Sequence, residues 1–512
     1  MGEPEPHAGS GRRHAATVAG GIFLSRLAGF LRDRAIAHHL GVGPHADVLR
    51  AALRGPNILQ NLLGEGTISA AFIPIYARLL ASGRPHDAGR FAGAVFGILL
   101  ALAAGLALLG IGLARPIVAA LSPGFLADAA AMARGTLGVD RFPLAVAAVR
   151  IVFPMTGVLV LSAWALGILN SHRRFFLPYA APVLWNAAII AALVAAGSGW
   201  TVPGAMAGRG AGLEGLLLAA CWGGLAGGLL QFAVQLPLVA RLLSGFRPSF
   251  GRGVEGVGEA ARAFGPVVAA RGVAQLSAWL DLFLASLLAV GALGALGWAQ
   301  TLYVLPVSLF GMSVAAAELP ELSRRGGAGV PEGFAARLQE ALRRIAFLTV
   351  PTCVGYLAFG FLIVGAVYRT GAFRTADNWL VYLALAAYTL GLPATTRSRL
   401  LQNAFYALSD TRTPARIAVA RVAVSTAVAV PLMVALDRVP IGAVAGGAVA
   451  GGLVAGGASG SGLFLGAVGL ALGSAAGAWL EVWRLDARLR GRLPGFATPR
   501  AAIARLGLVA VA

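Results

Sequence analysis

Lysine is missing from this sequence; all 41 basic residues are arginine. Acidic residues number only 21, which leaves a formal net charge of +20. Charged residues make up 12% of the 512-residue chain and hydrophobic residues 58%. A soluble protein carries about 25% charge, so the deficit and the long apolar runs place the chain in the membrane class. The two cysteines, Cys221 and Cys353, sit inside apolar runs and exclude a disulfide framework or a cysteine metal site. The seven histidines form no HExxH pair, and the adjacent His38 and His39 point to different sides of a helix. The arginines are scattered through short connections with no concentrated basic tail, which argues against nucleic acid as a partner. Walker and GxSxG motifs are absent, and no loop of useful size carries paired acids. The glycine-rich stretch GRGAGLEG (208–215) lies between apolar runs and is a weak match to a phosphate loop. No cleavable signal peptide is evident. Met1–His14 leads into a helix too long for a signal core, so the first helix is expected to stay as an anchor.

A membrane span needs about 20 mostly apolar residues. Such segments are expected near 15–40, 48–81, 91–114, 144–170, 178–197 and 212–241, then near 261–290, 296–322, 335–367, 377–408, 413–436 and 462–486. The second is the least apolar. The connections support the count. With the N-terminus and Arg12 and Arg13 in the cytoplasm, every even-numbered connection is arginine-rich. Arg84 and Arg90 follow span 2, Arg173 and Arg174 span 4, and Arg247, Arg252 and Arg262 span 6. Arg324, Arg325 and Arg337 follow span 8, Arg412 and Arg416 lie around the connection after span 10, and Arg488, Arg490 and Arg492 follow span 12. Most opposite loops are poorer, although the 3–4 loop is mixed.

The expected class is therefore an all-α polytopic membrane protein of two six-helix lobes. A pseudo-two-fold axis along the membrane normal would relate them around a central cavity. The lobes are expected at 1–245 and 261–490, joined by a polar cytoplasmic linker at 246–260. A cytoplasmic tail and the start of a thirteenth helix are expected at 491–512. A faint internal echo supports the repeat: the second helices of the halves are bracketed by Pro56 and Pro74, and by Pro306 and Pro320. The Gly/Ala-rich stretch 441–462 reads as a flexible external insertion.

Charge inside these spans is costly and marks function by default. On the first helix, Ser25, Arg26, Gly29, Arg32 and Asp33 share an arc of about 120°. On the second, Asp47, Arg50, Arg54, Asn57, Asn61 and Glu65 form a polar stripe within about 80°. The plain structural alternative is that arginines and acids pair and hold helices together. Arginines outnumber acids on the two faces, however, and the surplus calls for an anion. Guanidinium forks match phosphate oxygens in pairs and stay charged. The expected binding residues are Arg26, Arg32, Asp33, Asp47, Arg54, Asn57 and Glu65. Arg271 and Gln300 in the second half are weaker candidates, for which helix–helix hydrogen bonding serves as well.

Several stretches resemble the MurJ/MviN family: SRLAGFLRD (25–33), ADVLRAALRGPNILQNLLGEGTISAAFIPIYAR (46–78), LSPGF (121–125), ILNSHRRFFLPYAAPVLWN (168–186), LPVSLFGMSVAAAELPELSR (305–324) and YRTGAFRTAD (368–377). The likeness runs over nearly the whole chain. That family comprises lipid II flippases of the multidrug/oligosaccharidyl-lipid/polysaccharide exporter superfamily. The resemblance implies transfer of the undecaprenyl-diphosphate-linked peptidoglycan precursor to the outer leaflet of the bacterial inner membrane by alternating access. It implies no enzymatic activity and no cofactor. A coupling cation or the membrane potential would reset the carrier, and cell-wall synthesis machinery is a candidate partner. Family cavity residues map onto Arg26, Arg32, Asp33, Asp47 and Glu65. The chain departs from the family at Gln60 and Thr301, where the family has arginine, and at Val304, where it has an acid. The alternatives are a flippase for another polyprenyl-diphosphate glycan, a drug exporter, and a non-transporting scaffold for cell-wall assembly.

Overall fold

The computed structural model describes residues 8–200, 212–312, 333–408, 410–445, 462–493 and 495–496. Among these the protein is helical, with one isolated bridge between Pro440 and Phe464. The helices are α1 (Ala8–Leu40), α2 (Pro44–Leu63), α3 (Glu65–Ala71), α4 (Ile73–Ala81), α5 (Pro85–Gly112), α6 (Ala114–Leu121), α7 (Asp128–Ala133) and α8 (Arg141–Ser171). They continue with α9 (Phe176–Ala180), α10 (Pro182–Gly197), α11 (Leu213–Ala233), α12 (Leu236–Leu242), α13 (Val257–Ser286) and α14 (Ala292–Pro306). A π-helical turn at Val307–Met312 is followed by α15 (Phe334–Tyr368), α16 (Thr375–Leu390), α17 (Leu392–Ala407), α18 (Arg412–Leu436), α19 (Gly442–Ala445) and α20 (Gly466–Arg490).

Each of the twelve expected spans contains helix. Among the described residues, seven helices are long and apolar enough to cross a membrane, and two bent pairs, α16 with α17 at 43° and Ala114–Leu121 with Pro123–Ala133 at 104°, raise the number to as many as nine. Charge keeps α1, the α2–α4 series, α13 and α20 below the same test. The expectations for residues 313–322, for most of the 441–462 insertion and for a thirteenth helix after residue 496 lie outside the described residues. Lipid-type exteriors show directly: Leu108 is 72% exposed and Leu362 66%.

The chain divides into two units, Met1–Phe283 and Leu284–Ala512. This division falls later than the linker at 246–260, because α13 packs on the first unit. Trp279 donates its indole N–H to the Ala120 carbonyl (3.3 Å), and Arg271 Nη1 donates to the Asn61 carbonyl (3.1 Å).

The second span is broken twice. Gly64 leaves helical geometry (φ −86°, ψ −138°) and ends α2, and Pro74 opens α4. The freed carbonyls are satisfied singly, as a membrane interior requires. Leu62 O accepts from the Thr67 hydroxyl (2.5 Å) and Asn61 O from Arg271 (3.1 Å). In the second unit, Pro306 likewise ends regular helix and a π-helical turn follows. The first core surrounds Phe72, Tyr76, Phe91 and Trp164; the second surrounds Phe334, Leu342, Phe405 and Leu485. In the second unit Glu481 is 1% exposed and accepts from Gln402 (2.7 Å) and Arg421 (2.8 Å).

The polar linker is not a free tether. Its backbone at Ser244, Arg247 and Ser249 lies against Gly89, Gly93 and Gly97 of α5, where a Cβ would collide with each carbonyl. Phe246 seats between Phe96 and Trp164, and Arg84 pairs with Glu255 at 2.7 Å. The hydrogen bond and charge of Arg84 hold the Glu255 carboxyl below its usual range. Gly93→Val should lift this strap and speed proteolytic cleavage within 245–256. Limited proteolysis of the purified protein checks it, and an unchanged cleavage rate contradicts it.

Candidate functional site

The site is built in the first unit from α1 and α2, with α8, α10 and α11 behind them. Asp33 is its hub. Asp33 is 3% exposed. Its Oδ1 accepts from Arg32 Nε (3.1 Å) and Nη2 (2.8 Å), and its Oδ2 lies 3.6 Å from Arg50 Nη2. One carboxylate therefore orients two guanidinium groups and cannot neutralise both. The Arg32 guanidinium also lies over the Trp185 ring, 4.9 Å from its centroid. Trp185 is itself fixed. Its indole N–H donates to Gly224 O (3.0 Å) and contacts Met155 Sδ (3.1 Å). Gly227 lets α11 approach so closely that a Cβ would stand 2.8 Å from the Trp185 backbone.

Two cavities open on these residues. One, about 140 Å³, is lined by Arg32, Asp33, Arg50, Arg54, Asn57 and Trp185 among others. The other, about 320 Å³, is lined by Ser25, Arg26, Ser162, Tyr179 and Gln231 among others. Gln60 borders both. Among the described side chains, four arginines thus face one aspartate. Among the described residues, no carboxylate pairs with Arg26 or Arg54. Asn57 accepts from Asn61 (3.0 Å), extending the polar face along α2.

The expected site residues do not all meet here. Asp47 is fully buried and turned away from the cavities. It pairs with Arg141 at 3.2 Å, which also holds Asp128 at 2.6 Å and lies over Phe125. The reason is the Arg141 partner rather than a large difference in angle. The cavity-facing arc of α2 runs from Leu49 through Asn57 to Arg54, and Asp47 lies beyond its edge, facing α7 and α8. Gln60 is about 60° from Asn57 on the same helix. It fell off a stripe drawn through the charges, yet it lies inside the arc. The Glu65 side chain lies outside the described residues. Arg271 borders neither cavity and sits on the α2–α3 break. Gln300 is exposed on α14 in the second unit, beside Thr301, whose hydroxyl donates to Gly297 O (3.0 Å). Trp185 was missed because an aromatic residue in an apolar span carries no periodic signal.

An arginine-rich cavity with one orienting carboxylate suits anions with paired oxygens. No cluster of His, Cys, Asp or Glu among the described residues could hold a metal ion.

A family model described as lipid II flippase MurJ matches residues 36–456. The lipid II flippase MurJ of Burkholderia cenocepacia is 33% identical over 412 residues, 80% of this chain and 75% of the relative. The probable lipid II flippase MurJ of Rhizobium meliloti is 34% identical over 429 residues, 82% of this chain and 75% of the relative. Among solved structures, a lipid II flippase MurJ in an inward closed conformation superposes with a TM-score of 0.73 at 21% identity. That match covers 96% of this chain and 90% of the other. An inward-facing multidrug resistance MATE family transporter superposes at 0.61 with 16% identity, covering 94% and 95%.

Two outcomes follow from the geometry. Arg141→Ala strands two buried carboxylates and should cost about 3–5 kcal/mol. Adding Asp47→Asn and Asp128→Asn should recover much of it, read as thermal unfolding in detergent; a neutral Arg141→Ala contradicts the pairing. Trp185→Leu removes the aromatic face under Arg32, worth about 0.5–2 kcal/mol. Affinity for an anionic ligand should fall accordingly in an equilibrium binding assay, with the fold kept; unchanged affinity contradicts the contact.

Proposed function

The chain belongs to the lipid II flippase MurJ family, and from that premise we infer that it moves lipid II from the inner to the outer leaflet of the bacterial inner membrane. The observation that carries the reading is the arginine excess in the first unit's cavities, with Asp47 withdrawn to Arg141. A diphosphate offers acceptor oxygens in pairs, to which guanidinium forks donate. Arg32, Arg50 and Arg54 take the diphosphate, and Asp33 holds the first two in register. Arg26, Ser25, Tyr179 and Gln231 face the glycan side, where hydroxyl and amide groups suit sugars. The prenyl tail stays in lipid.

Transport proceeds by alternating access, in which the loaded cavity is presented first to one leaflet and then to the other. The N-terminus lies in the cytoplasm, as the arginine-rich even-numbered connections indicate. The membrane potential resets the carrier, since an elementary charge crossing 100 mV gains about 2.3 kcal/mol. A cation-exporting activity is disfavoured by the same arginines, which repel a cationic drug. The carrier is a transporter without a chemical step of its own, working beside the cell-wall synthesis machinery.

Complementation tests the reading. A bacterium depleted of its own lipid II flippase should be rescued by the wild-type chain. Arg26→Ala and Arg54→Ala, at matched membrane levels, should fail or grow slowly. Losing one charge-assisted hydrogen bond costs about 1.5–3 kcal/mol, or roughly a 10- to 150-fold weaker grip. Full rescue by both variants removes these arginines from the mechanism, and failure of the wild type removes the function.

A further inference from the structure

The GEG segment of the second span has a partner that its sequence does not announce. Arg271 of α13 lays its guanidinium directly on Gly66, where an added Cβ would collide with Nη1, Nη2 and Cζ. Nη1 donates to Asn61 O at 3.1 Å. This carbonyl belongs to the last turn of α2, the negative end of the helix dipole, so the site holds a cation in place. One backbone carbonyl uses only one of five N–H donors. Among the described residues no carboxylate pairs with Arg271, and the residue is exposed midway along α13. An arginine so placed within a span faces water or a polar ligand by default.

Its position along α2 limits what that ligand is. Asn61 lies seven residues beyond Arg54, about 10 Å along the axis. A diphosphate gripped by Arg32, Arg50 and Arg54 is too short to reach Arg271 as well. A second anionic group of the same substrate, set apart from the first, can. Lipid II has one such class of group, the carboxylates of its peptide stem. We propose that Arg271 is a second anion-binding point, held over Gly66 at the α2–α3 break, that takes a peptide-stem carboxylate of lipid II while the α1–α2 arginines hold the diphosphate. The proposal rests on the flippase reading above. It makes Arg271 a specificity-determining residue: it separates a carboxylate-bearing lipid-linked glycan from a bare polyprenyl diphosphate.

The test uses the full chain in lipid nanodiscs, with lipid II and undecaprenyl diphosphate as separate probes. Arg271→Gln keeps a donor for Asn61 O and loses the charge. Gly66→Ala keeps the charge and displaces the guanidinium. Both variants should bind lipid II about 10-fold more weakly and undecaprenyl diphosphate as the wild type does, with the thermal midpoint of Arg271→Gln close to wild type. Wild-type affinity for both probes in Arg271→Gln would make Arg271 a helix cap only and overturn the proposal. An equal loss for both probes would place Arg271 on the diphosphate and overturn it too. Failure of the wild type to bind lipid II would instead bring down the flippase reading on which the proposal rests.

Discussion

The shared carboxylate of Asp33 is the interaction on which the site depends. A guanidinium in the membrane interior costs several kcal/mol unless it is paired or wetted. Asp33 pairs with Arg32 and lies within 3.6 Å of Arg50, so it lowers that cost for both without cancelling both charges. The remainder is a positive cavity whose donors are already aimed. Trp185 adds to the aim by covering one face of Arg32, and the glycines of α11 hold Trp185 in place. Were Asp33 removed, the two arginines would repel one another and swing toward water.

The second span applies a different constraint. Its polar stripe lies in regular helix up to Leu63, and Gly64 then breaks the span. A break in a membrane leaves carbonyls that must be satisfied locally. The chain spends a threonine hydroxyl and Arg271 on two of them. The GEG segment therefore combines a conformational role for its first glycine with a steric one for its second.

Much of the architecture was legible in the sequence. Hydropathy and the alternation of arginine-rich connections located helix in every expected span, because both signals are summed over many residues. Breaks were less legible. The Ala114–Leu121 helix and the Pro123–Ala133 segment turn through 104° in a stretch that reads only as a mixed loop. Docking of the linker was invisible, since glycines of α5 spaced four apart look the same whether they face lipid or a backbone. In the site, the arc on α1 was readable because Arg26, Arg32 and Asp33 share one face. On α2 the charges misled. Asp47 matches the stripe in angle but is taken by Arg141, a residue ninety-four positions away that no local pattern reveals. Gln60 is uncharged and stood out only as a departure from a family arginine, yet it borders both cavities.

The central claim is that the first unit's arginines hold a diphosphate. A structure of the protein with undecaprenyl diphosphate bound tests it most directly. The account predicts phosphate oxygens within hydrogen-bond distance of Arg32 and Arg54, with Asp33 still bridging Arg32 and Arg50. A diphosphate bound away from these side chains, with the cavity between α1 and α2 filled only by water, would contradict it.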